Sequence, residues 1–309
     1  MARSKILGAA VHLGRRAVRR KATIVSTLFI VFFLLPILMY ILLGTFLAND
    51  PRLVPHAIRN AQNVLLITAH PDDECLFFSP SILHSWGKAH VNRHVLVLSS
   101  GNYEGLGAQR RAEAKASCAE LGIADDKCLI LEHKHLQDNP REWWDEKLVE
   151  RTLDRHVQMW NIDLIITFDE YGISGHVNHR SVSNGVRKFA NDHDHNPPAY
   201  AVQTKFVLRK YSSLADLIPT SFPFTWRILQ AVFTSVPKGY ATTVPVPGKS
   251  VLPPEGGDRF GDRALLVTNW SQYMKGRAAF KQHASQYSWD RVLYLVLSRY
   301  MWFNDLRRM

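Results

Sequence analysis

Hydrophobic positions fall along the chain in two rhythms. From Thr23 to Ala48 they dominate a run of 26 residues without one charged side chain. At 1.5 Å per residue that run exceeds the roughly 30 Å hydrocarbon layer, so a membrane span with tilt or a bend at Pro36 is expected. A secretory h-region is usually about 7–15 residues long and ends at a small-x-small site, which Leu47-Ala48-Asn49 is not. The run therefore reads as a retained single-pass anchor. After a linker at 49–62, short Val/Ile/Leu-rich runs recur at Val64–Ala69, Val95–Ser99, Leu129–Leu131, Leu164–Phe168, Phe206–Leu208 and Leu265–Val267. They have the length and composition of strands covered on both faces. Helical patterns lie between them, at 76–88, 108–121, 142–160 and 178–190. The alternation predicts an α/β domain over 63–309, Rossmann-like, with a mostly parallel sheet, helices on both faces and one N-terminal transmembrane helix before it. Such sheets carry their sites at the carboxyl ends of strands.

Residues 213–263 interrupt this alternation with seven prolines between Pro219 and Pro254 and a Gly-rich PPEGGDRFG stretch, and read as an irregular insertion. Within it FPFTWRILQAVF suits either a monotopic membrane contact or a packed loop. The stretch from Trp289 to Met309 reads as an amphipathic helix whose apolar face suits core packing first and membrane contact second.

The net charge of +11 invites a nucleic-acid partner, but its distribution does not. Residues 1–21 hold seven basic residues and no acid, and without them 31 basic residues face 27 acidic ones. The basicity belongs to a tail at 1–22, suited to anionic lipid rather than nucleic acid. Counted against Arg52 and Arg59 beyond the span, it predicts a cytosolic N-terminus. Cys75, Cys118 and Cys128 contain no CxxC pair and read as packed or free thiols.

Two polar clusters carry candidate chemistry. Ala69-His70-Pro71-Asp72-Asp73-Glu74 follows the first strand, with Pro71 suited to a first helical position. His70 and Asp73, three apart, can converge on one ion, an imidazole-carboxylate pair that suits zinc. Asp72 between them points elsewhere and is free to handle a proton. The second cluster, Gly172-Ile173-Ser174-Gly175-His176-Val177-Asn178-His179, follows the strand ending TFD and holds two more histidines three apart. His70, Asp73 and one of these histidines would leave a fourth position open, as a catalytic zinc site does. Ser174 lacks the final glycine of a nucleophile elbow and is not read as a nucleophile. The loop Ser100–Gly107 has three glycines before Arg110, which suits either a phosphate or sugar contact or a salt bridge to Glu113.

AHPDDECLFFSP, SSGNY, TFDEYGISGHVNH, KFVLRKYSSLADL and the terminal LSRYM, in that order, resemble the LmbE-like deacetylase superfamily. Within it they resemble the N-acetylglucosaminyl-phosphatidylinositol de-N-acetylases. The likeness spans roughly residues 63–218 and 264–304. It implies zinc, or another divalent metal, on His70, Asp73 and His179, with Asp72 as general base and His176 donating at the reaction centre. Arg110 would contact substrate, and Glu74, Asn178 and Asp169 would support the ligands, Asn178 by orienting His176. The implied reaction is hydrolysis of the N-acetyl group of a GlcNAc-phosphatidylinositol in GPI-anchor biosynthesis. The implied location is the endoplasmic reticulum membrane, with the catalytic domain facing the cytosol, against the orientation that the charge count gives. Two rival readings are a deacetylase of another GlcNAc conjugate, for which the anchor has no use, and a membrane scaffold with a decayed site, against which the intact His/Asp set argues.

Overall fold

Seven strands form one sheet: β1 (Asn63–Thr68), β2 (Asn92–Val97), β3 (Cys128–Ile130), β4 (Leu164–Phe168), β5 (Ala199–Val202), β6 (Arg263–Val267) and β7 (Phe303–Arg308), in the order β3-β2-β1-β4-β5-β7-β6. The pairs from β3 through to β5 are parallel, whereas β7 runs antiparallel to both β5 and β6. Leu65, Leu66, Ile67, Ile165 and Ile166 are buried without alternation, as the Val/Ile/Leu runs require of strands covered on both faces. The computed structural model describes residues 16, 19–85, 88, 91–192, 196–237, 240 and 257–309. The basic tail ahead of Arg19, apart from Arg16, and the 241–256 part of the insertion lie outside the described residues.

The helices are α1 (Arg19–Phe46), α2 (His56–Asn60), α3 (Asp73–Leu76), α4 (Ser79–Leu83), α5 (Gly107–Glu120), α6 (Glu146–Trp160), α7 (Val177–Asp192), α8 (Val207–Lys210), α9 (Leu217–Ser221), α10 (Thr225–Phe233), α11 (Trp270–Phe280) and α12 (Trp289–Leu297). α6 packs on α7, which lies along β1, β4 and β5, while α11 packs on α4 and α5. The helix expected over 76–88 is broken in two, because Pro80 cannot continue α3 but fits the first turn of α4.

α1 is long and apolar enough to cross a bilayer, and its side chains from Ile24 to Ile41 are largely exposed. Its foot docks on the body through buried Leu43 and Leu47. At Gly44 a Cβ would lie 2.9 Å from the Thr268 carbonyl oxygen, so only glycine admits that approach. Just ahead of Pro36, where a bend was expected, the helix widens to a π turn over Ile30–Leu34.

Four sequence-based expectations change. The linker is packed: Leu53 and Val54 are buried, and Arg52 pairs with Asp50 at 2.7 Å and donates to the Gln230 carbonyl. Phe206–Leu208 is not a strand. It opens α8 with its three apolar side chains exposed, and the strand lies earlier, at β5. The C-terminal helix ends at Leu297, and the chain turns into β7. Cys118 and Cys128 form a disulfide between the end of α5 and the start of β3, leaving only Cys75 free, and buried.

β7 escapes a hydrophobicity reading because its polar groups are paired inside the protein. Asn304 accepts from Ser81 and donates to the Phe77 carbonyl. Asp305 meets Lys205 at 2.7 Å and Arg299 at 2.9 Å. Arg299, fully buried, also reaches Asp216 at 2.8 Å, and Arg209 binds the same Asp216. The contacts of Arg299 with the two carboxylates are close but off-axis, so charge more than hydrogen-bond alignment holds them. This network joins the KFVLRKYSSLADL stretch to the C-terminus. Arg299→Leu leaves Asp216 and Asp305 buried with less compensation and should cost about 3–5 kcal/mol of stability. Thermal unfolding in detergent checks it, and a midpoint within a degree of wild type would contradict it.

Candidate active site

β1 and β4 are neighbours, and the strand order reverses between them. Chains leaving two such strands diverge to opposite sides of the sheet and open a crevice at their carboxyl ends. After β1 the chain enters that crevice through Ala69 and His70 and turns at Asp72 into α3. After β4 it passes through a Gly-rich turn into α7, which carries His179.

Asp73 ties the two together. Its Oδ2 accepts from the backbone N–H of His70 at 2.8 Å and of Ala69 at 3.2 Å, closing the turn that leaves β1. Its Oδ1 lies 3.3 Å from His179 Nε2, and its Oδ2 lies 3.9 Å from His70 Nδ1. His70 Nδ1 and His179 Nε2 are themselves 3.3 Å apart. Among the described residues Asp73 has no Lys or Arg partner. Burial resists its ionisation, but His179 and His70 outweigh that and lower its pKa.

The far nitrogens of both rings are fixed by acceptors. His179 Nδ1 donates to the Gly172 carbonyl at 2.9 Å. His70 Nε2 donates to Asp138 and to Asn178 Oδ1, each at 3.1 Å. With both rings neutral, the remaining nitrogens, His70 Nδ1 and His179 Nε2, are lone-pair donors aimed at the same point as Asp73; protonated, they are the charges that lower the Asp73 pKa. Donors about 2.0–2.1 Å from a tetrahedral ion stand roughly 3.3–3.4 Å from one another, and two of the three separations match that. Metal-bound histidines generally carry such a carbonyl or carboxylate on the other nitrogen. The donor set fits a divalent cation of zinc type.

His176 is half-buried, its ring 4.7 Å from that of His70, and it too could reach an ion with His70 and His179. Asp73 is the more buried of the two and touches both other donors, which favours it as the third ligand. His176 Nδ1 accepts the backbone N–H of Asn178 at 3.2 Å, so its proton sits on Nε2. Burial, then the charges of His70 and His179, push its pKa down to about 4. Asn178 orients His176 through its backbone alone. Its side chain bonds His70 instead, which corrects the expected role.

Asp72 is buried outside this set and sits at φ 102°, a left-handed conformation that costs a non-glycine residue roughly 1–3 kcal/mol. Glu74 holds it there, accepting the Asp72 N–H at 3.0 Å, and is itself fixed by Ser117 at 2.6 Å and His283 at 2.7 Å. Pro71 therefore precedes the helix cap rather than opening the helix. Burial first, and then the neighbouring Asp73 charge, raise the Asp72 pKa to about 6. Glu74, Cys75 and His283 also lie close enough to share an ion, but these hydrogen bonds already engage Glu74.

Of the other expected residues, Asp169 braces the Gly-rich turn, accepting from Gly172 and Thr204 without reaching the ligands. Arg110 does not bridge to Glu113. It donates to the Gly101 carbonyl at 2.8 Å and the Pro71 carbonyl at 3.3 Å and lies 3.7 Å from Asp138. Ser174 Oγ meets the outward nitrogen of His179, the Gly172 carbonyl and the His176 backbone N–H, and none of these is a free base that could activate it. Asp138 and His283 escaped the sequence reading. Asp138 could have been found as the acid in the loop leaving β3, whereas nothing local marks His283.

A family model described as PIG-L, GlcNAc-PI de-N-acetylase, matches residues 65–190. A probable N-acetylglucosaminyl-phosphatidylinositol de-N-acetylase of Dictyostelium discoideum is 30% identical over 272 residues, covering 79% of this chain and 92% of that protein. The N-acetylglucosaminyl-phosphatidylinositol de-N-acetylase of Bos taurus is 33% identical over 247 residues, covering 78% and 81%. Among solved structures, a triple mutant of a deacetylase of the teicoplanin biosynthetic pathway aligns at a TM-score of 0.50 and 12% identity. It covers 80% of this chain and 97% of that one, a likeness of fold alone.

Gly172 is a close-packed point of the site. It has φ +64°, and a Cβ there would stand 2.7 Å from that of His179. Gly172→Ala should lose about 1–3 kcal/mol of stability. An unchanged thermal midpoint would mean that the turn relaxes around the added methyl.

Proposed function

The chain belongs to the GlcNAc-PI de-N-acetylase family, and from that premise we propose that it hydrolyses the N-acetyl group of N-acetylglucosaminyl-phosphatidylinositol in a metal-dependent reaction. The products are glucosaminyl-phosphatidylinositol and acetate, in the second step of GPI-anchor biosynthesis. One observation carries the reading. Two lone-pair nitrogens and one carboxylate converge at ligand-to-ligand distances, with a second, raised-pKa carboxylate left out of the set.

His70, Asp73 and His179 would hold the ion, with zinc the best match to an imidazole-carboxylate set. When bound, such an ion polarises an amide carbonyl and lowers the pKa of water from 15.7 to about 7. Asp72 takes the proton of the attacking water. A carboxylate with its pKa raised toward neutrality can both accept that proton and return it to the departing amine. His176 presents its Nε2–H to the carbonyl oxygen as negative charge builds there, an interaction on the order of 3 kcal/mol. Arg110 uses two of its five N–H groups on backbone carbonyls and has donors to spare for a sugar hydroxyl. Glu74 and Asn178 act behind these groups, the first by holding Asp72 in its strained turn and the second by fixing His70. Asp169 acts more remotely, by shaping the turn that presents His179.

The apolar α1 would anchor the enzyme in the endoplasmic reticulum membrane beside its lipid substrate, with the body on the cytosolic face. Protease added to intact microsomes should then digest the body, and its protection would reverse the orientation.

Purified full-length protein incubated with GlcNAc-phosphatidylinositol should release the free-amine lipid, and chelator should abolish that release. Asp72→Asn should keep one equivalent of metal while kcat falls by about 10²–10⁴. His179→Ala should lose the metal. Asp72→Asn working at the wild-type rate would remove Asp72 from the mechanism, and chelator-insensitive turnover would remove the metal.

A further inference from the structure

Three cations follow one another in the KFVLRK stretch, and two of them are neutralised. Lys205 pairs with Asp305, and Arg209 with Asp216. Lys210 is different. As a residue it is buried about as far as Asp72, yet among the described residues its ammonium meets neither a carboxylate nor a hydrogen-bond acceptor. Its Nζ lies over two aromatic rings, 5.6 Å from the centroid of Phe77 and 5.6 Å from that of Tyr211. The stem is buried, but the Nζ is not among the buried atoms that lack a partner, so the ammonium sits at the end of a buried stem, open to an incoming anion and backed only by aromatic faces.

The anion would lie close to the reaction centre. The Phe77 ring beneath Lys210 also packs on the His179 ring at 5.9 Å. Tyr294 on α12 bridges the same two rings, 6.2 Å from Phe77 and 5.9 Å from Tyr211. Arg291 stands one helical turn before Tyr294, on the same face of α12. It has no ion-pair partner among the described residues, and its charge acts on both Lys210 and Asp72. Tyr211, next in sequence to Lys210, lines an apolar groove of about 790 Å³, walled by Phe29, Phe32 and Pro36 of α1 on one side and Leu297 on the other. The cations thus stand between the metal-binding trio and a furrow that runs along the membrane helix.

We propose that Lys210 and Arg291 form the subsite for the phosphodiester of a glycosylated phospholipid, so that the sugar reaches His70 and His179 while the acyl chains lie along α1. The subsite rests on the deacetylase reading and adds to it the group by which a lipid-linked sugar is told from a free one. A phosphate held by two cations lets the lipid remain in the bilayer while its headgroup enters the crevice. Burial, and the nearby Arg291 charge, lower the Lys210 pKa, as expected of a cation awaiting its counter-ion.

The test compares GlcNAc-phosphatidylinositol with phosphate-free GlcNAc-inositol, using the full-length protein in detergent micelles. Wild type should prefer the phosphodiester. Lys210→Met, which keeps the packing of the buried stem, and Arg291→Met should each raise KM for the phosphodiester about tenfold or more. The preference between the two substrates should narrow by the same factor, with metal content and thermal midpoint maintained. Lys210→Arg should recover most of the preference. Unchanged KM and preference in both methionine variants would overturn the subsite, as would an equal loss on both substrates. Wild-type protein that deacetylates neither compound would instead overturn the deacetylase reading, and the subsite with it.

Discussion

A buried carboxylate that must satisfy two backbone N–H groups and face two imidazoles at once is the constraint on which this structure turns. Asp73 closes the chain reversal after β1 with one oxygen and reaches across to His179 with the other. It can do both only because β1 and β4 are hydrogen-bonded neighbours running the same way, so that their carboxyl ends open on the same crevice. Neutralising Asp73 by a lysine or arginine would fill the space between the rings. The protein leaves that space to lone pairs, with each ring's proton drawn to the far side by Gly172, Asn178 or Asp138. The same economy separates the two adjacent acids. Asp73 is held ionised by its imidazole neighbours, and Asp72, turned away by a left-handed backbone, becomes the carboxylate whose proton affinity rises.

Support for this arrangement comes from far along the chain. His283, following α11, reaches back to Glu74 and so holds the Asp72 turn. Asn304, in β7, caps the Phe77 carbonyl just beyond α3. Arg299 locks the start of the proline-rich stretch to the C-terminal strand. The apolar α1 is joined to the same body at Gly44, so that helix and the crevice are parts of one packed unit. Under the proposed function, that attachment would fix where a lipid headgroup arrives.

The parallel half of the sheet was legible because β1, β2 and β4 are buried on both faces and announce themselves as unbroken Val/Ile/Leu runs. The acid- and histidine-rich turns were legible for a related reason, since polar residues packed tightly after a buried strand have few structural uses. Of the strands beyond β4 only β6 was legible, through Leu265–Val267. β5 is four residues long, and β7 reads as polar because Asn304 and Asp305 find partners only in the folded chain. Phe206–Leu208 misled in the opposite sense, being apolar yet exposed, at the start of α8 near the groove beside α1. His283 and the Cys118–Cys128 disulfide depend on approaches between segments that no local spacing encodes.

X-ray absorption of the purified, metal-loaded protein addresses the central claim most directly, because it reads the ligand shell without reference to activity. The account predicts a first shell of nitrogen and oxygen only, at about 2.0–2.1 Å, with the outer scattering of two imidazoles. A sulfur at about 2.3 Å would move the ion to Cys75 and His283. That result, or a protein that takes up no stoichiometric metal, would contradict it.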